Sequence, residues 1–500
     1  MPALSTPADE VIGRDRWLVP VAGLCQLVGI AAYLMVFTLL GQIGASLHAS
    51  VPQLGWIVIA TIITGTVSAA LFPALGSVIG QRRLMAVAMG CLAVGSVVSA
   101  TAPDAATLLI GRVLAAPGFA ASSLSIAIVG EHRLGRGRSR SFGVLAAFAG
   151  AAAGVGFTLG GALEAAARGD WRTVFAAMAV VSAITAVVAA ITIPGGTPTS
   201  RHADIPGAVL LAGALVAALL LMTEGAVWGW TSWRVIALFA TALVLLTVWA
   251  VTELRLADPL IRLGVLPLPG VVGGTVLFLV TAATVGVVNL TVPPFLEAPA
   301  AAGYGEAASV LDTGRDLLPF ALAITAAGFV AGRLTQRWSP RLVAVVALGC
   351  EALALGLLAG LHRTTDQVVI LLALFGAGHG GALAAQYLTL TRPVPPAAVG
   401  AVTGLATAAG GVSGAVASAV ATALLAGRLV HAGTIEVPAA ADYARAWLYA
   451  AAVAAAGALA AALSAARVRR GSLRPAPPQT PATPTGSRPA GPSSGRRTPR

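Results

Sequence analysis

At 500 residues, 57% hydrophobic and 10% charged, with a mean hydropathy of +0.88, the chain carries more apolar surface than a soluble fold can bury. Its formal charge is +12 and all 31 basic residues are arginine. With no P-loop lysine to reach the β- and γ-phosphates, an ATP motor on this chain is excluded.

Only helices and closed barrels cross a hydrocarbon layer. Barrel strands would alternate polar and apolar residues in segments of about ten, whereas the runs here are apolar all round. The fold class expected is therefore an all-α polytopic membrane protein. A layer roughly 30 Å thick takes about 20 helical residues to cross. Residues 1–16 carry mixed charge and precede an apolar run too long for a cleavable signal core. Spans are then expected near residues 17–40, 54–75, 84–102, 106–129, 141–163, 173–193 and 205–223. Seven more are expected near 233–252, 269–290, 316–332, 342–361, 368–391, 397–426 and 443–466, making fourteen transmembrane helices. Cys25, Cys91 and Cys350 fall inside spans, as small apolar residues rather than disulfide partners. From Gly471 the chain is mostly Pro, Ser, Thr, Gly and Arg without an acid, so residues 467–500 read as a disordered basic cytoplasmic tail. That tail is either a solvated, topology-setting end or a weak anchor to anionic lipid.

An even number of spans puts both ends on one side. With the termini inside, the inner loops hold 15 arginines, the tail 8 and the outer loops 7, while Arg112 lies inside a span. This bias predicts cytoplasmic termini and fourteen spans, and the membrane expected for the chain is the inner one.

Between spans two and three the sequence reads PALGSVIGQRR (Pro73–Arg83), and between spans ten and eleven GRLTQRWSPR (Gly332–Arg341). Arginine-bearing turns at matching places in two six-helix halves mark a duplicated transporter with a cavity near the midplane. The expected division is an N-terminal half at 17–193, an inserted helix pair at 205–252 and a C-terminal half at 269–466.

On these residues the chain resembles the major facilitator superfamily, and within it the fourteen-span drug:proton antiporter branch, over roughly residues 17–466. The family's inner-loop signature G-x-L-A-D-R-x-G-R-R is met at Leu75, Gly80, Arg82 and Arg83. It is met more closely at Gly332, Arg333, Leu334, Arg337, Pro340 and Arg341. The signature aspartate is Ser77 in the first copy and Gln336 in the second. Span four, LLIGRVLAAPGFAA, is similar to R-x-x-Q-G-x-G-A-A at Arg112, Gly118 and Ala121, with Ala115 and Ala116 replacing the usual Gln-Gly. Span five, GAAAGVGFTLGGAL, resembles the antiporter signature G-P-x-x-G-G at Gly156, Gly160 and Gly161, with Phe157 in place of proline. Such glycines let a neighbouring helix approach and the helix flex, or serve close packing alone. DWRTVF (Asp170–Phe175), EGAVWGWTSWR (Glu224–Arg234) and ELRLADPLIRL (Glu253–Leu263) also resemble that branch. The resemblance implies an exporter, and an aspartate in span one where this chain has Ala32.

The resemblance further implies that spans one, four, nine and twelve line the cavity. Their polar side chains are Gln26 and Tyr33, Arg112, Asn289, and His379 and Gln386. Such groups are costly among lipids and tolerable around a wet pocket. Gln26, Tyr33, Asn289 and Gln386 either line that pocket or make packing hydrogen bonds. Arg112 either contacts protons or a substrate anion, or snorkels to the surface. Arg112, His379 and Glu351 are the proton-coupling candidates. Glu351 is the only carboxylate deep in a span, although span eleven is expected on the outer side of its half. Asp312 and Asp316 are further acids through which coupling can run, and an uncoupled carrier is the remaining possibility.

The expected function is secondary active export of hydrophobic or amphipathic, drug- or antibiotic-like small molecules by proton antiport and alternating access. The alternative is an uncoupled facilitator or importer of a small solute. A membrane-embedded enzyme or a sensor is the third and least favoured class: no paired-aspartate motif, nucleophile elbow or His/Cys cluster occurs, and a sensor would need a sizeable soluble domain, so no enzyme, cofactor or metal is expected. The partners are the transported molecule, protons and lipid, without nucleic acid, and a monomer is expected.

Overall fold

The structure, a computed structural model, describes residues 16–133, 135–166, 170–195, 204–256, 259, 261, 263–305, 307–432 and 435–472. Helix follows helix because backbone polar groups in hydrocarbon must be satisfied internally. The first three are α1 (Leu18–Leu47), α2 (Val51–Ile79) and α3 (Gln81–Ala100). A capping box of Ser50 and Gln53 starts α2. Gly80, at φ 95°, turns α2 directly into α3, a conformation that side chains resist.

Asp104 caps α4 (Ala105–Ala115), accepting from the Thr107 backbone N–H at 2.8 Å. That hydrogen bonding holds its carboxyl below the usual carboxylate range. Pro117 has no N–H with which to continue the helix, so Ala116–Ala120 forms a 3-10 turn before α5 (Ala121–His132). The chain continues through α6 (Gly135–Ala166), α7 (Trp171–Thr192), α8 (Ile205–Trp228), α9 (Trp233–Arg255) and α10 (Pro269–Glu297). A short α11 (Val310–Asp316) leads into α12 (Leu318–Leu334), whose first turn carries a proline. The remaining helices are α13 (Pro340–Gly360), α14 (Thr365–Thr391), α15 (Pro396–Leu425) and α16 (Ala440–Ser472).

Thirteen described stretches, from Leu18–Val36 to Ala440–Ser464, are long and apolar enough to cross a membrane. The 32-residue α6 covers the expected span at 141–163. The architecture is the all-α polytopic one, with a span number close to fourteen. Two features depart from the expected pattern. An antiparallel hairpin of β1 (Leu429–Ala432) and β2 (Ile435–Pro438) stands between α15 and α16, pairing Val430 with Val437. The backbone of α16 also runs on to Ser472, into the stretch expected to be unstructured from residue 467. The rest of that tail lies outside the described residues.

Small residues decide which helices meet. Gly143 on α6 and Gly332 on α12 face each other so closely that a Cβ on either would sit 2.5 Å from the other's Cα. A Cβ on Gly328 would lie 2.9 Å from the Ala146 Cβ along the same contact. On the other side of the bundle, Ala208, Leu211 and Leu215 of α8 share one apolar cluster with Ala70 and Ala74 of α2 and Ala401 and Ala408 of α15. Helix α8 thus rests on both α2 and α15, while α9 packs on α8. Ile236, Phe239, Leu243 and Leu246 recur on α9 at helical spacing and are exposed, an acyl-facing stripe.

Gly332→Val should overpack the α6–α12 contact and lower unfolding stability by about 2 kcal/mol. Gly349→Val, where an added Cβ meets nothing within 4 Å, should leave stability unchanged. Thermal unfolding of the two purified variants checks the difference.

Candidate transport site

The polar groups of the C-terminal helices converge on Glu351. Its side chain is fully buried, and Oε1 lies 3.1 Å from Nδ1 of His379, itself buried. The Thr284 hydroxyl donates to Glu351 Oε2 at 2.8 Å, with the Thr281 carbonyl an alternative acceptor at 3.2 Å. The Phe375 ring stacks on the imidazole, with centroids 5.7 Å apart. Glycines make this approach possible. A Cβ at Gly378 would come within 2.6 Å of the Ala347 carbonyl and 2.9 Å of the Glu351 N–H. A Cβ at Gly380 would run into the Ile324 carbonyl of α12. The glycine-flanked His379 therefore sits where α13 and α14 come close, and Glu351 points inward to meet it rather than outward. Whether Nδ1 donates to Oε1 or accepts from it depends on the tautomer.

One turn or more along α14, Gln386 accepts from the Thr281 hydroxyl at 2.7 Å. Beside it, the buried Tyr387 ring meets Phe142 of α6 and Phe278 of α10, with centroids 5.9 and 6.0 Å away. Gln26 of α1 is buried next to the Tyr387 hydroxyl, and neither of its amide atoms completes a hydrogen bond at ordinary geometry. Helices from both ends of the chain thus meet at this level. Asn289 is half-buried on α10 and belongs to neither cluster.

Arg112 occupies a separate place. Only 2% exposed, it turns inward, with Nη2 donating to the Ala32 carbonyl of α1 at 3.2 Å. The Phe175 ring of α7 lies 5.6 Å from its guanidinium carbon. Tyr33 is half-buried within electrostatic reach of it, with the Phe119 ring 5.0 Å away. The guanidinium does not extend to the surface.

The arginine-rich end carries the turn motifs. Gln81, next after Gly80, donates to the Pro73 carbonyl and to Glu131 Oε1, both at 3.1 Å. Arg83, Arg333 and Arg337 are exposed, Arg333 over the Phe329 ring at 3.8 Å, while Arg82 and Arg341 are half-buried. Arg392, just past α14, reaches Ser139 Oγ at 3.4 Å and the Thr335 carbonyl at 3.5 Å. Burial pulls the Arg392 guanidinium below its ordinary range. On α6, a Cβ at Gly156 would sit 2.8 Å from the Leu34 Cβ, so this glycine admits α1. Gly160 and Gly161 fall outside the residues whose packing is described. Asp312 is exposed and pairs with Arg315 at 3.2 Å, a solvated arrangement. Among the described residues no group of three or more His, Cys, Asp and Glu is placed to hold a metal.

Sequence reading passed over Gln81, Glu131, Thr281, Thr284 and Tyr387. The available signal for the threonines was their three-residue spacing in an otherwise apolar helix, which puts both on one face.

The sequence profile described as the Major Facilitator Superfamily matches the chain over residues 22–305 and 274–498. The chain belongs to that superfamily, and is a multi-pass membrane transporter of small molecules rather than an enzyme. Its relatives lie in the drug- and antibiotic-resistance branch. The puromycin resistance protein of Streptomyces alboniger is 30% identical over 406 residues, 78% of each chain. The methylenomycin A resistance protein of Streptomyces coelicolor is 28% identical over 298 residues, 59% of this chain and 61% of that one. Among solved structures, the human organic anion transporter MFSD10 superposes with a TM-score of 0.61 over 92% of this chain and 99% of that one. At 18% identity this is a likeness of fold alone.

Thr284→Val leaves Glu351 Oε2 without its donor and should cost about 1–3 kcal/mol of stability. The Thr325 hydroxyl bonds only the Ala321 carbonyl of its own helix, so Thr325→Val should stay within about 0.5 kcal/mol of the parent. Thermal unfolding of both variants is the check.

Proposed function

We propose that the chain exports hydrophobic or amphipathic small molecules of the drug or antibiotic kind in exchange for protons, by alternating access of its two six-helix halves. Residues 17–193 and 269–466 are the halves, and residues 205–252 an inserted pair. The names of the resistance proteins it resembles support export. The single observation that carries proton exchange is the fully buried Glu351, joined to His379 at 3.1 Å and to Thr284 at 2.8 Å.

A buried carboxylate and an imidazolium protonated on both ring nitrogens attract each other strongly, because little solvent screens them. One further proton, taken by the carboxylate, turns that ion pair into a cation beside a neutral acid, and the attraction holding α13 to α14 at this level falls. Proton uptake is thereby linked to helix packing one or two turns from Gln386, Thr281 and Gln26, which we assign to the cavity with Tyr33, Arg112 and Asn289. Through that link an inward proton gradient drives outward movement of substrate, by differential affinity for the two states. The arginine bias supports an inner-membrane setting with both termini cytoplasmic. The chain is taken to work as a monomer.

Proteoliposomes loaded with a pH-sensitive dye test the proposal, with puromycin as the probe. Adding the probe should release protons in the parent, and Glu351→Gln should reduce that flux about tenfold or more. His379→Ala should do the same. Undiminished flux in both variants removes the pair from the mechanism, and no flux in the parent favours an uncoupled carrier.

A further inference from the structure

Among the described residues Arg112 is a buried cation without a counter-ion. Helices α2 and α3 pack on α4, the Arg112 side chain reaches α1 and α7, and none of these four helices contains an Asp or Glu anywhere along its length. Asp104, at the start of α4, is exposed and committed to the Thr107 backbone. Glu131, at the far end of α5, accepts from Gln81. A guanidinium has five N–H donors, of which Nε carries one and Nη1 two. In Arg112 both of these nitrogens are buried with no hydrogen-bond partner, and only Nη2 is used, on the Ala32 carbonyl. The Phe175 face offsets part of the cost of burying the charge, but a ring quadrupole does not replace an anion. Glu351 shows the contrast, because this chain supplies His379 to its own buried acid and, among the described residues, no acid to Arg112.

Such a charge is tolerated when something outside the chain completes it. We propose that Arg112 is a binding subsite for an anionic group of the transported molecule, a carboxylate or comparable small oxyanion. Arginine suits that chemistry, since its planar, permanently charged donors match such oxygens. Tyr33 provides the approach. It is half-buried, lies beside Arg112, and packs against an apolar cluster that joins Leu34 of α1 to Ala283, Val287 and Phe320 of the C-terminal helices, which puts it at the level where the two ends of the chain meet. The inference rests on the reading of that space as the transport cavity. It adds, among the amphipathic molecules carried, a preference for those bearing an acid at one end. A chloride ion has the same charge and is the second source to be distinguished.

The test reads equilibrium binding to the full chain in nanodiscs of zwitterionic lipid, in chloride-free buffer without any gradient. The probes are 2-naphthoate, its neutral isostere 2-naphthamide, and sodium chloride. Naphthoate should bind saturably and about tenfold or more tighter than naphthamide. Arg112→Met should bring the two to the same level, while Arg112→Lys keeps part of the preference. Ala32→Asp, which places an internal carboxylate beside the guanidinium, should also abolish the preference, and thermal unfolding confirms that each variant is folded. Saturable, Arg112-dependent chloride binding that competes with naphthoate identifies a halide as the resident anion. Equal binding of the two naphthalene probes, or naphthoate and chloride binding that ignores Arg112→Met, overturns the proposal. Because no proton gradient enters, loss of proton exchange at Glu351 and loss of this subsite are read separately.

Discussion

Removing a charge from water costs several kcal/mol unless a partner goes with it, and inside a membrane bundle every ionisable side chain must meet that condition. This chain keeps few such groups in its spans and treats them in two ways. Glu351 is surrounded by His379 and Thr284, so its charge and its proton are handled within the protein. Arg112 receives one backbone carbonyl and an aromatic face. The first arrangement is the one proposed to exchange a proton, and the second the one proposed to take an anion from outside the chain. Both lie among small residues that let helices approach, and neither would survive if α13 and α14, or α1 and α4, stood further apart.

Packing and polarity are therefore one problem. Gly378 and Gly380 are what bring His379 to Glu351, just as the Gly143–Gly332 contact holds α6 to α12. Helix α8 spans the line between α2 and α15, touching both, so any relative movement of those two helices must slide across Ala208, Leu211 and Leu215. Any movement in this molecule is constrained by glycine and alanine seams.

The helices were legible in the sequence because a run of about twenty apolar residues has few other uses. Gly80 was legible as a turn, and its positive φ is the physical reason. Arg112, Glu351 and His379 stood out individually, being expensive where they are. Their partners did not. Ala32 precedes Arg112 by 80 residues, and Glu351 precedes His379 by 28. Pairing across such distances depends on how each helix is rotated about its axis, which hydropathy does not encode when a helix is apolar on every side. Thr284 escaped because a threonine in a helix usually satisfies its hydroxyl on its own backbone. The β1–β2 hairpin escaped because LVHA and IEVP are each four residues long, too short to show a strand period.

The proposed exchange rests on Glu351 gaining and losing a proton while buried. Infrared difference spectroscopy on the reconstituted protein, recorded between alkaline and acidic buffer, observes this directly through the stretch of a protonated carboxyl group. The account predicts a buried-carboxyl band that grows on acidification, changes when a transported molecule is added, and is missing in Glu351→Gln. A band that persists unaltered in that variant, or a parent spectrum with no pH-dependent buried carboxyl, would contradict it.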